Sequence, residues 1–421
     1  MVFVRVLTTS VVVALLWVVT RSIRRLFFHR LSHIPGPRLA ALTWWYEFHY
    51  NVVLPGKYIF KIQELHREYG PILRITPEEV HINDVGFLDT VYAGLRDKYE
   101  YPLKALRVPG GVGATADAKL HKLRREALVP FFSKRNVLSL QHLIAEKVDQ
   151  LSEIIAKHAI EASQINLSDL FFAFSNDQLG MMVKAGEVRP KKKPSTESLP
   201  PQERTLTRLE QEGALLALAG TESPALSLGI IFYHLLANPS ILNRLRTEIE
   251  TVPTHASWPQ LEKLPYLMAV IEEGNRLSFG VTARIGRRAH EELVFTPSSY
   301  ATTPGTGVSY KIPARTPLSI STLSAHTAQS VFPDPFTIDP ERWLGEAGRK
   351  RKRFQMAFTK GSRNCLGIEL ANAELCLVIA ALVRSFEMTL LDTDARDVSF
   401  EHDYQIAMPN IGSKGVRVTV I

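Results

Sequence analysis

The residues best suited to chemistry in this chain of 421 residues lie in one short segment around Cys365. The segment reads Phe358-Thr359-Lys360-Gly361-Ser362-Arg363-Asn364-Cys365-Leu366-Gly367. An apolar helical pattern begins directly after it, and the first turn of a helix offers unpaired N–H groups and partial positive charge. Both stabilise a thiolate, so we expect a lowered pKa for Cys365. Gly361 and Gly367 would let the backbone approach a large flat ligand.

A thiolate in such a loop is the ligand that a haem iron needs when the chemistry is O–O cleavage. For a lone cysteine, a buried structural role at a helix start is the alternative interpretation. Cys376, the only other cysteine, falls within the following apolar helix and is expected in the core. Two cysteines exclude a disulfide framework and fit a reducing compartment.

A second candidate site is the run Ala219-Gly220-Thr221-Glu222-Ser223-Pro224. It lies inside a predicted helix from about residue 203 to residue 238. Gly220 leaves room for a diatomic ligand. Pro224 lacks an N–H, so the carbonyl of Gly220 loses its helical partner and we expect a kink. A carboxylate and a hydroxyl in one turn can hold waters that carry protons. A kinked core helix without chemistry is the alternative.

The spaced set of Phe358, Gly361, Arg363, Cys365 and Gly367 resembles the haem-binding signature of the cytochrome P-450 family. Further segments look like those of fungal monooxygenases of the trichodiene-oxygenase type, namely Ile34-Pro35-Gly36-Pro37 and Leu264-Pro265-Tyr266-Leu267. The resemblance implies a haem b whose iron takes its axial thiolate from Cys365, with Phe358 and Gly367 beside the haem. The resemblance covers nearly the whole chain.

The same resemblance implies a role for the second run, in which Glu222 is the acid and Ser223 the alcohol that deliver protons beside Gly220. Ser stands at position 223 where Thr is usual in the family, and Pro follows it. Serine still donates and accepts hydrogen bonds. Its rotamer is less fixed than that of threonine because it lacks the methyl group.

Basic and acidic residues elsewhere also match the family. By resemblance Glu273, Arg276 and Arg342 form a buried charge triad that serves fold and haem retention. The haem propionates are expected to pair with basic residues. Those candidates are Arg363, His121 and Arg125, with Arg284 and His326 as further ones. A solvated helix face is the alternative for His121 and Arg125, which are four apart.

The N-terminus predicts a membrane anchor. Residues 2–20 are apolar apart from Arg5 and a few hydroxyl residues, which is about the length needed to cross a bilayer. Arg21, Arg24, Arg25 and Arg30 follow, so this side should face the cytoplasm. A cleaved signal peptide is the alternative. We expect an endoplasmic-reticulum protein with one transmembrane segment and its catalytic domain in the cytoplasm.

The remaining pattern indicates a mainly α fold with a minor β sheet, the cytochrome P-450 fold with a single large haem domain. We divide the chain into an anchor (1–20), a basic and Pro-rich hinge (21–37) and a catalytic domain (38–421). Predicted helices cover about 59–69, 120–128 ending near Pro130, 137–162, 203–238, 267–277 and the stretch from Cys365 to about 386. Residues 295–318 read as strands and turns, and residues 187–202 as an exposed loop.

The chain departs from the family between about 177 and 206, where relatives carry several more helices that roof the substrate pocket. Either the sequence has lost an exon-sized piece or the chain is naturally shortened. The core motifs predict a monooxygenase that inserts one oxygen atom of O₂ into an apolar small molecule. The resemblance to the fungal enzymes implies a terpenoid or polyketide of secondary metabolism as that substrate. A haem-thiolate isomerase or dehydratase, and a non-catalytic haem-binding remnant, are the alternatives.

No Gly-rich dinucleotide motif is present, so electrons should come from NADPH through a separate NADPH–cytochrome P-450 reductase. The net charge of +8 suggests acidic partners, and we expect a membrane and a reductase rather than nucleic acid. The basic run at residues 349–353 is a candidate docking patch for the reductase. Ordinary solvated surface is the alternative for that run.

Overall fold

The computed structural model describes residues 2–188, 199–284, 286–301 and 307–420. The described part is mainly helical with small β sheets, as the sequence predicts. Its α-helices are α1 Val2–Phe27, α2 Arg38–Leu42, α3 Trp45–Phe48, α4 Tyr58–Tyr69, α5 Leu88–Tyr92, α6 Glu100–Leu103, α7 Ala118–Phe132, α8 Lys134–Ser139, α9 Gln141–Ile160, α10 Leu167–Val188, α11 Leu206–Ala237, α12 Pro239–Ile249, α13 Trp258–Leu261, α14 Pro265–Leu277, α15 Thr322–His326, α16 Gly345–Arg351 and α17 Ile368–Ser385.

The strands are short, with two to four residues each. They are β1 Ile72–Arg74, β2 Val80–Ile82, β3 Asp97–Lys98, β4 Ile165–Asn166, β5 Arg287–Arg288, β6 Leu293–Phe295, β7 Tyr310–Ile312, β8 Pro317–Ser319, β9 Met388–Leu390, β10 His402–Asp403, β11 Ala407–Met408 and β12 Arg417–Val420. The largest sheet has the order β1-β2-β8-β5-β3. Its β2–β8 pair is parallel, with Val80 opposite Leu318, and the other pairs are antiparallel.

The main core lies where α11 and α17 pack against α9, α10 and α14. Leu228 and Ile231 of α11 and Val378 and Ile379 of α17 are almost fully buried. Burial of large aliphatic side chains contributes roughly 1.5–3 kcal/mol each, so this core fixes α11 and α17 relative to each other. These are the two helices that carry or follow the candidate site residues.

Several predicted elements are confirmed with small changes of boundary. Helix α4 begins at Tyr58, α14 at Pro265 and α11 at Leu206, each close to the predicted start. Strands β6, β7 and β8 fall in or beside the region predicted as strands and turns. Most of the predicted loop at 187–202 lies outside the described residues.

Helix α7 includes Pro130 and ends at Phe132, close to the predicted end near Pro130. Two other predicted helix boundaries are wrong. The helix predicted for 137–162 is two helices, because the backbone leaves helical geometry at Leu140. Helix α17 begins three residues after Cys365, and Gly367 is its N-terminal flanking residue.

Helix α1 is 26 residues long, with a mean hydropathy of 2.3 in its most apolar window and no buried residue there. This is compatible with the predicted anchor. Helix α11 also has a long apolar window, with a mean hydropathy of 1.6, but half of that window is buried in the core. The apolar length of α11 therefore reflects packing inside the protein.

Candidate functional site

The backbone of the Cys365 loop is held by its own hydrogen bonds. The N–H of Cys365 donates to the carbonyl of Phe358 over 2.8 Å, and that of Asn364 donates to the carbonyl of Gly361 over 3.1 Å. Gly361 has a φ of +72°, and a Cβ there would lie 2.0 Å from the carbonyl oxygen of Tyr92. Gly361 is therefore required by its positive φ and by the close approach of Tyr92.

The Cys365 side chain is exposed, yet protein atoms surround it on most sides. Burial raises the pKa of the Cys365 thiol, and this outweighs the hydrogen bond from the Gly367 N–H and the charge of Arg125, which both lower the pKa. The predicted lowering of this pKa is therefore wrong for the polypeptide alone. A metal cation at the sulfur would supply the missing stabilisation, because a coordinating thiol is deprotonated outright.

A cluster of buried basic groups lies beside the loop. His121 on α7 and Arg363 are both buried. Burial first, and then the charges of Arg363, Lys98, Arg125 and Arg287, lower the pKa of His121 to about 3. The pKa of Lys98 is also lowered, by burial and by the charges of Arg287, Arg363 and Arg125. Such mutual repulsion indicates a site built for anions.

Backbone oxygens hold these cations in place. Arg363 donates to the carbonyls of Thr115 and Ala116 over 2.7 and 2.6 Å, and Lys98 donates to that of Gly113 over 2.6 Å. The two guanidinium nitrogens of Arg125 donate to Asn364, which precedes Cys365. The structure thus brings together three residues predicted for haem propionates, namely His121, Arg125 and Arg363.

Lys98 and Arg287 were missed by the sequence reasoning. They lie on the paired strands β3 and β5, with Lys98 directly opposite Arg287. Both are buried, and the Arg287 guanidinium lies over the Tyr92 ring, 5.0 Å from its centroid. The available signal was a lysine and an arginine inside short strand patterns. Pairing of those strands could not be read from the sequence, because they are only two residues long.

Arg284 is placed elsewhere. Its guanidinium forms ion pairs with Glu47 and, over 3.4 Å, with Glu79, and all three side chains are nearly or fully buried. The pKa of Arg284 is raised despite burial, because these two carboxylates stabilise the cation. The guanidinium is thus already neutralised by protein carboxylates, and we do not carry Arg284 forward as a propionate partner.

His326 uses both ring nitrogens inside the protein. Its Nδ1 lies 2.8 Å from the carbonyl oxygen of Arg276, and its Nε2 accepts the N–H of Met356 over 2.9 Å. Burial lowers the pKa of His326 to about 3. The ring is therefore neutral and connects α14 to the segment before Phe358. It is a support of the loop and is not carried forward as a propionate partner either.

The three residues of the expected charge triad lie together. Glu273 and Arg276 are completely buried and joined by two hydrogen bonds of 2.8 Å. Arg342 approaches within 3.3 Å of the same carboxylate, and the indole N–H of Trp343 donates to it over 2.8 Å. Arg276 also donates to the carbonyl of His326 over 3.0 Å. The triad therefore supports the loop through His326.

The residues of the second candidate site lie along the middle of α11, which runs unbroken through Pro224. Gly220, Glu222 and Ser223 are partly buried. Thr221 is buried, and its hydroxyl has no hydrogen-bond partner among the residues that the structure describes. A buried hydroxyl without a partner costs about 1–3 kcal/mol, so an orphan here points to a water or ligand that the polypeptide does not supply.

These observations fit a haem with its iron at Cys365. The sulfur is reachable, and a Cβ at Gly367 would meet only Phe132, at 4.0 Å. The basic cluster matches the two carboxylates of a haem. Asp97 and Asp117 each accept a backbone N–H of α7. Their charges raise the pKa of Arg363, but burial and the charge of Arg287 lower it by more.

A separate cavity has a volume of about 280 Å³. Its lining includes Trp44, Glu78, Tyr101 and Arg288, and none of them belongs to the candidate site, although Arg288 follows Arg287 of the basic cluster in the chain. The Trp44 and Tyr101 rings are in contact at an interplanar angle of 34°, with centroids 4.7 Å apart. We do not assign the chemistry to this cavity, because it holds neither the thiol nor the basic cluster.

Comparisons with known proteins agree with the geometry. Residues 190–414 match the family model for cytochrome P-450. Conidiogenone synthase PchP450 of Penicillium rubens is 35% identical, with 94% of this chain and 96% of that protein aligned. Cytochrome P-450 monooxygenase astB of Talaromyces wortmannii is 34% identical, with 94% of each aligned. The corresponding monooxygenase TRI4 of Trichoderma arundinaceum is 31% identical, with 95% of this chain and 92% of that protein aligned.

A crystal structure of a cytochrome P-450, CYP102L1, has the same fold, with a TM-score of 0.67 over 87% of this chain and 99% of that chain at 18% identity. The fold and the thiol loop therefore define a haem-thiolate protein. The chain belongs to the cytochrome P-450 family. It is an oxidoreductase of the cytochrome P-450 monooxygenase type, and its relatives are enzymes of fungi.

Proposed function

We propose that this enzyme inserts one atom of O₂ into an apolar small molecule and reduces the other atom to water. The observation that carries the proposal is the placement of Cys365 beside a buried basic cluster, in a fold whose α11 carries Glu222 and Ser223. When bound, haem would supply the oxygen-activating chemistry. The polypeptide would hold the haem, exclude water and move protons.

Each residue in the proposal acts through a simple interaction. Cys365 would ligate the iron as a thiolate. Arg363, His121 and Lys98 would attract the propionates, and a gain of anions beside them would raise the lowered pKa of His121. Glu222 and Ser223 would hold a proton path, since both are partly exposed on the turn that follows Gly220.

Membrane attachment and electron supply are parts of the same proposal. Helix α1 would anchor the protein to the endoplasmic reticulum, with residues 21–37 as hinge and residues 38–421 as the catalytic domain in the cytoplasm. NADPH would supply electrons through a separate reductase. Within the basic run, Lys350 and Lys352 lie 2.8 and 3.3 Å from Glu346 and Glu272. These exposed pairs are weak, so an acidic partner can compete for the lysines.

The connection into α11 remains the main difference from the family. The alignment to the conidiogenone synthase extends over 482 positions, more than this chain has residues, so gaps open in this chain. We propose that they fall between about residues 177 and 206, where roof helices are expected. The substrate class, a terpenoid or polyketide of fungal secondary metabolism, rests on the names and sources of relatives.

The test is incorporation of isotopically labelled dioxygen into product by the full chain, assayed with NADPH, reductase and candidate terpenoids. Label in the product at one atom per turnover is the expected result. One relative is named a synthase, which favours keeping the isomerase or dehydratase as a second candidate. Turnover without O₂ and NADPH would establish that candidate. Protein that takes up haem but turns over no substrate under either condition would be the non-catalytic haem-binding remnant.

A further inference from the structure

Four charged side chains form a continuous buried chain at the start of α11. Arg124 of α7 donates to both carboxylate oxygens of Glu203, over 2.6 and 3.0 Å. Arg208 lies 3.5 Å from Glu203 and donates to Glu212 over 2.6 Å. Side-chain exposures of 5–13% leave these charges little solvent. Because each charge neutralises its neighbours, removal of one leaves another buried without compensation. We call these four residues the clamp.

The clamp binds a loop rich in glycine, residues 108–116, which we call the glycine loop. The N–H of Val112 donates to Glu212 over 3.1 Å. Arg124 donates to the carbonyl of Pro109 over 3.0 Å and to the hydroxyl of Thr115 over 2.8 Å. Both ends of the clamp therefore hold the glycine loop, one from α7 and one from α11.

The glycine loop lies directly on α11. The N–H of Gly110 donates to the side-chain oxygen of Gln211 over 2.6 Å, and a Cβ at Gly110 would lie 3.2 Å from the Cα of Arg208. A Cβ at Gly111 would lie 2.6 Å from Leu215. Side chains at these two positions would push the loop away from the helix, so the contact depends on glycine.

The far end of the glycine loop reaches the Cys365 segment. Arg363, two residues before the cysteine, donates to the carbonyls of Thr115 and Ala116. On α11, Glu212 precedes Gly220 by eight residues, which is about 12 Å along a helix. The loop thus runs between the two segments that carry the candidate site.

We propose that the clamp positions the glycine loop as one wall of the substrate pocket and sets which apolar molecules can enter. This rests on the proposed function, because the pocket in question is the haem pocket. The clamp lies where the chain enters α11 after the short connection. The wall is therefore held by the ends of α7 and α11 themselves. Release of the clamp opens the wall without altering the Cys365 ligand.

The first measurement is hydrogen exchange at the backbone amides of residues 108–116 in the full chain, with and without haem. Glu203→Gln keeps the shape of the side chain and removes one charge of the clamp. Hydrogen exchange of the glycine-loop amides should then become about tenfold faster, since the loop opens more often. The matched control is Glu210→Gln, an exposed residue of α11 whose loss should change nothing. Unchanged exchange of the loop amides in Glu203→Gln would overturn the proposal that the clamp holds the glycine loop.

A second measurement asks whether the clamp controls entry. Association of phenylimidazole and of imidazole with the ferric haem is followed by the Soret shift in the same variants. Glu203→Gln should raise the association rate of phenylimidazole on the order of tenfold and leave that of imidazole unchanged. Adding Arg124→Gln should change these rates little further, because the two residues belong to the same ion-pair network. Equal changes for both probes, or none, overturn the gating role. Failure of the parent protein to take up haem would refute the proposed function. Hydrogen exchange of the haem-free protein would still show whether the clamp holds the glycine loop.

Discussion

Replacement of Glu273 by Gln tests the buried charge triad. The carboxylate accepts four hydrogen bonds of 2.8–2.9 Å, two from Arg276, one from the indole of Trp343 and one from the N–H of Asp339. Glutamine would offer one acceptor oxygen and turn two N–H donors toward other donors. It would also leave the Arg276 charge buried and unpaired. Breaking a buried pair costs roughly 3–5 kcal/mol, a large fraction of a stability of about 5–15 kcal/mol.

The assay is chemical unfolding of purified protein in detergent, together with the rate of haem loss. Glu273→Gln should lose about 3 kcal/mol or more and release haem faster, because Arg276 supports the segment before Phe358 through His326. The control is Glu341→Gln, which breaks an exposed pair with Arg244 and should cost at most about 1 kcal/mol. Equal small losses in both variants would refute the reasoning that the triad stabilises the ligand loop.

Three further predictions concern membrane, proton path and pH. Deletion of residues 1–28 should release most of the protein from carbonate-washed microsomes. Adding Trp45→Glu to the deletion should release the remainder, because 70% of Trp45 is exposed. Persistent membrane attachment of this double variant would contradict a single anchor. Ser223→Ala should raise the peroxide released per NADPH consumed and slow product formation by about 10²-fold at most. Ser223→Thr should form at least as much product per NADPH as the parent. Unchanged peroxide release in Ser223→Ala would exclude Ser223 from the proton path. His66 and His81 are buried and hydrogen-bonded to each other over 2.7 Å, and burial lowers the pKa of His66 to about 4. Acid should therefore destabilise the fold between about pH 6.5 and pH 4. The unfolded state then binds more protons, so on the order of 3 kcal/mol of stability is present above pH 6.5 and lost on acidification, and a flat stability profile over that range would contradict this.

The helical framework was predictable because its signals are local. The periodicity of residues 58–69 and 265–277 and the apolar run of α11 each lie within one segment, so boundaries came out within a few residues. Errors arose where one residue decides the backbone. Leu140 separates α8 from α9 by leaving helical geometry, although its side chain continues the apolar pattern and is buried.

The candidate site was partly predictable for a similar reason. The loop motif put Cys365 and Arg363 in one short segment, because they are neighbours in sequence. Lys98 and Arg287 depend on pairing between strands nearly 190 residues apart, which leaves no local pattern. Arg284 shows the opposite case, since only tertiary structure places Glu47 and Glu79 against it. Long-range charge pairing therefore decided which predicted basic residues reach the site.

The most direct test of the account is the absorption spectrum of the reduced, CO-bound protein, measured for the full chain and for Cys365→Ala. The account predicts a thiolate-type Soret band in the parent protein. The variant should lose this band while keeping its helical content by circular dichroism, because Cys365 is reachable from solvent and contributes little to the core. A parent without the thiolate band, or a variant that retains it, would contradict the assignment of Cys365 as the haem ligand.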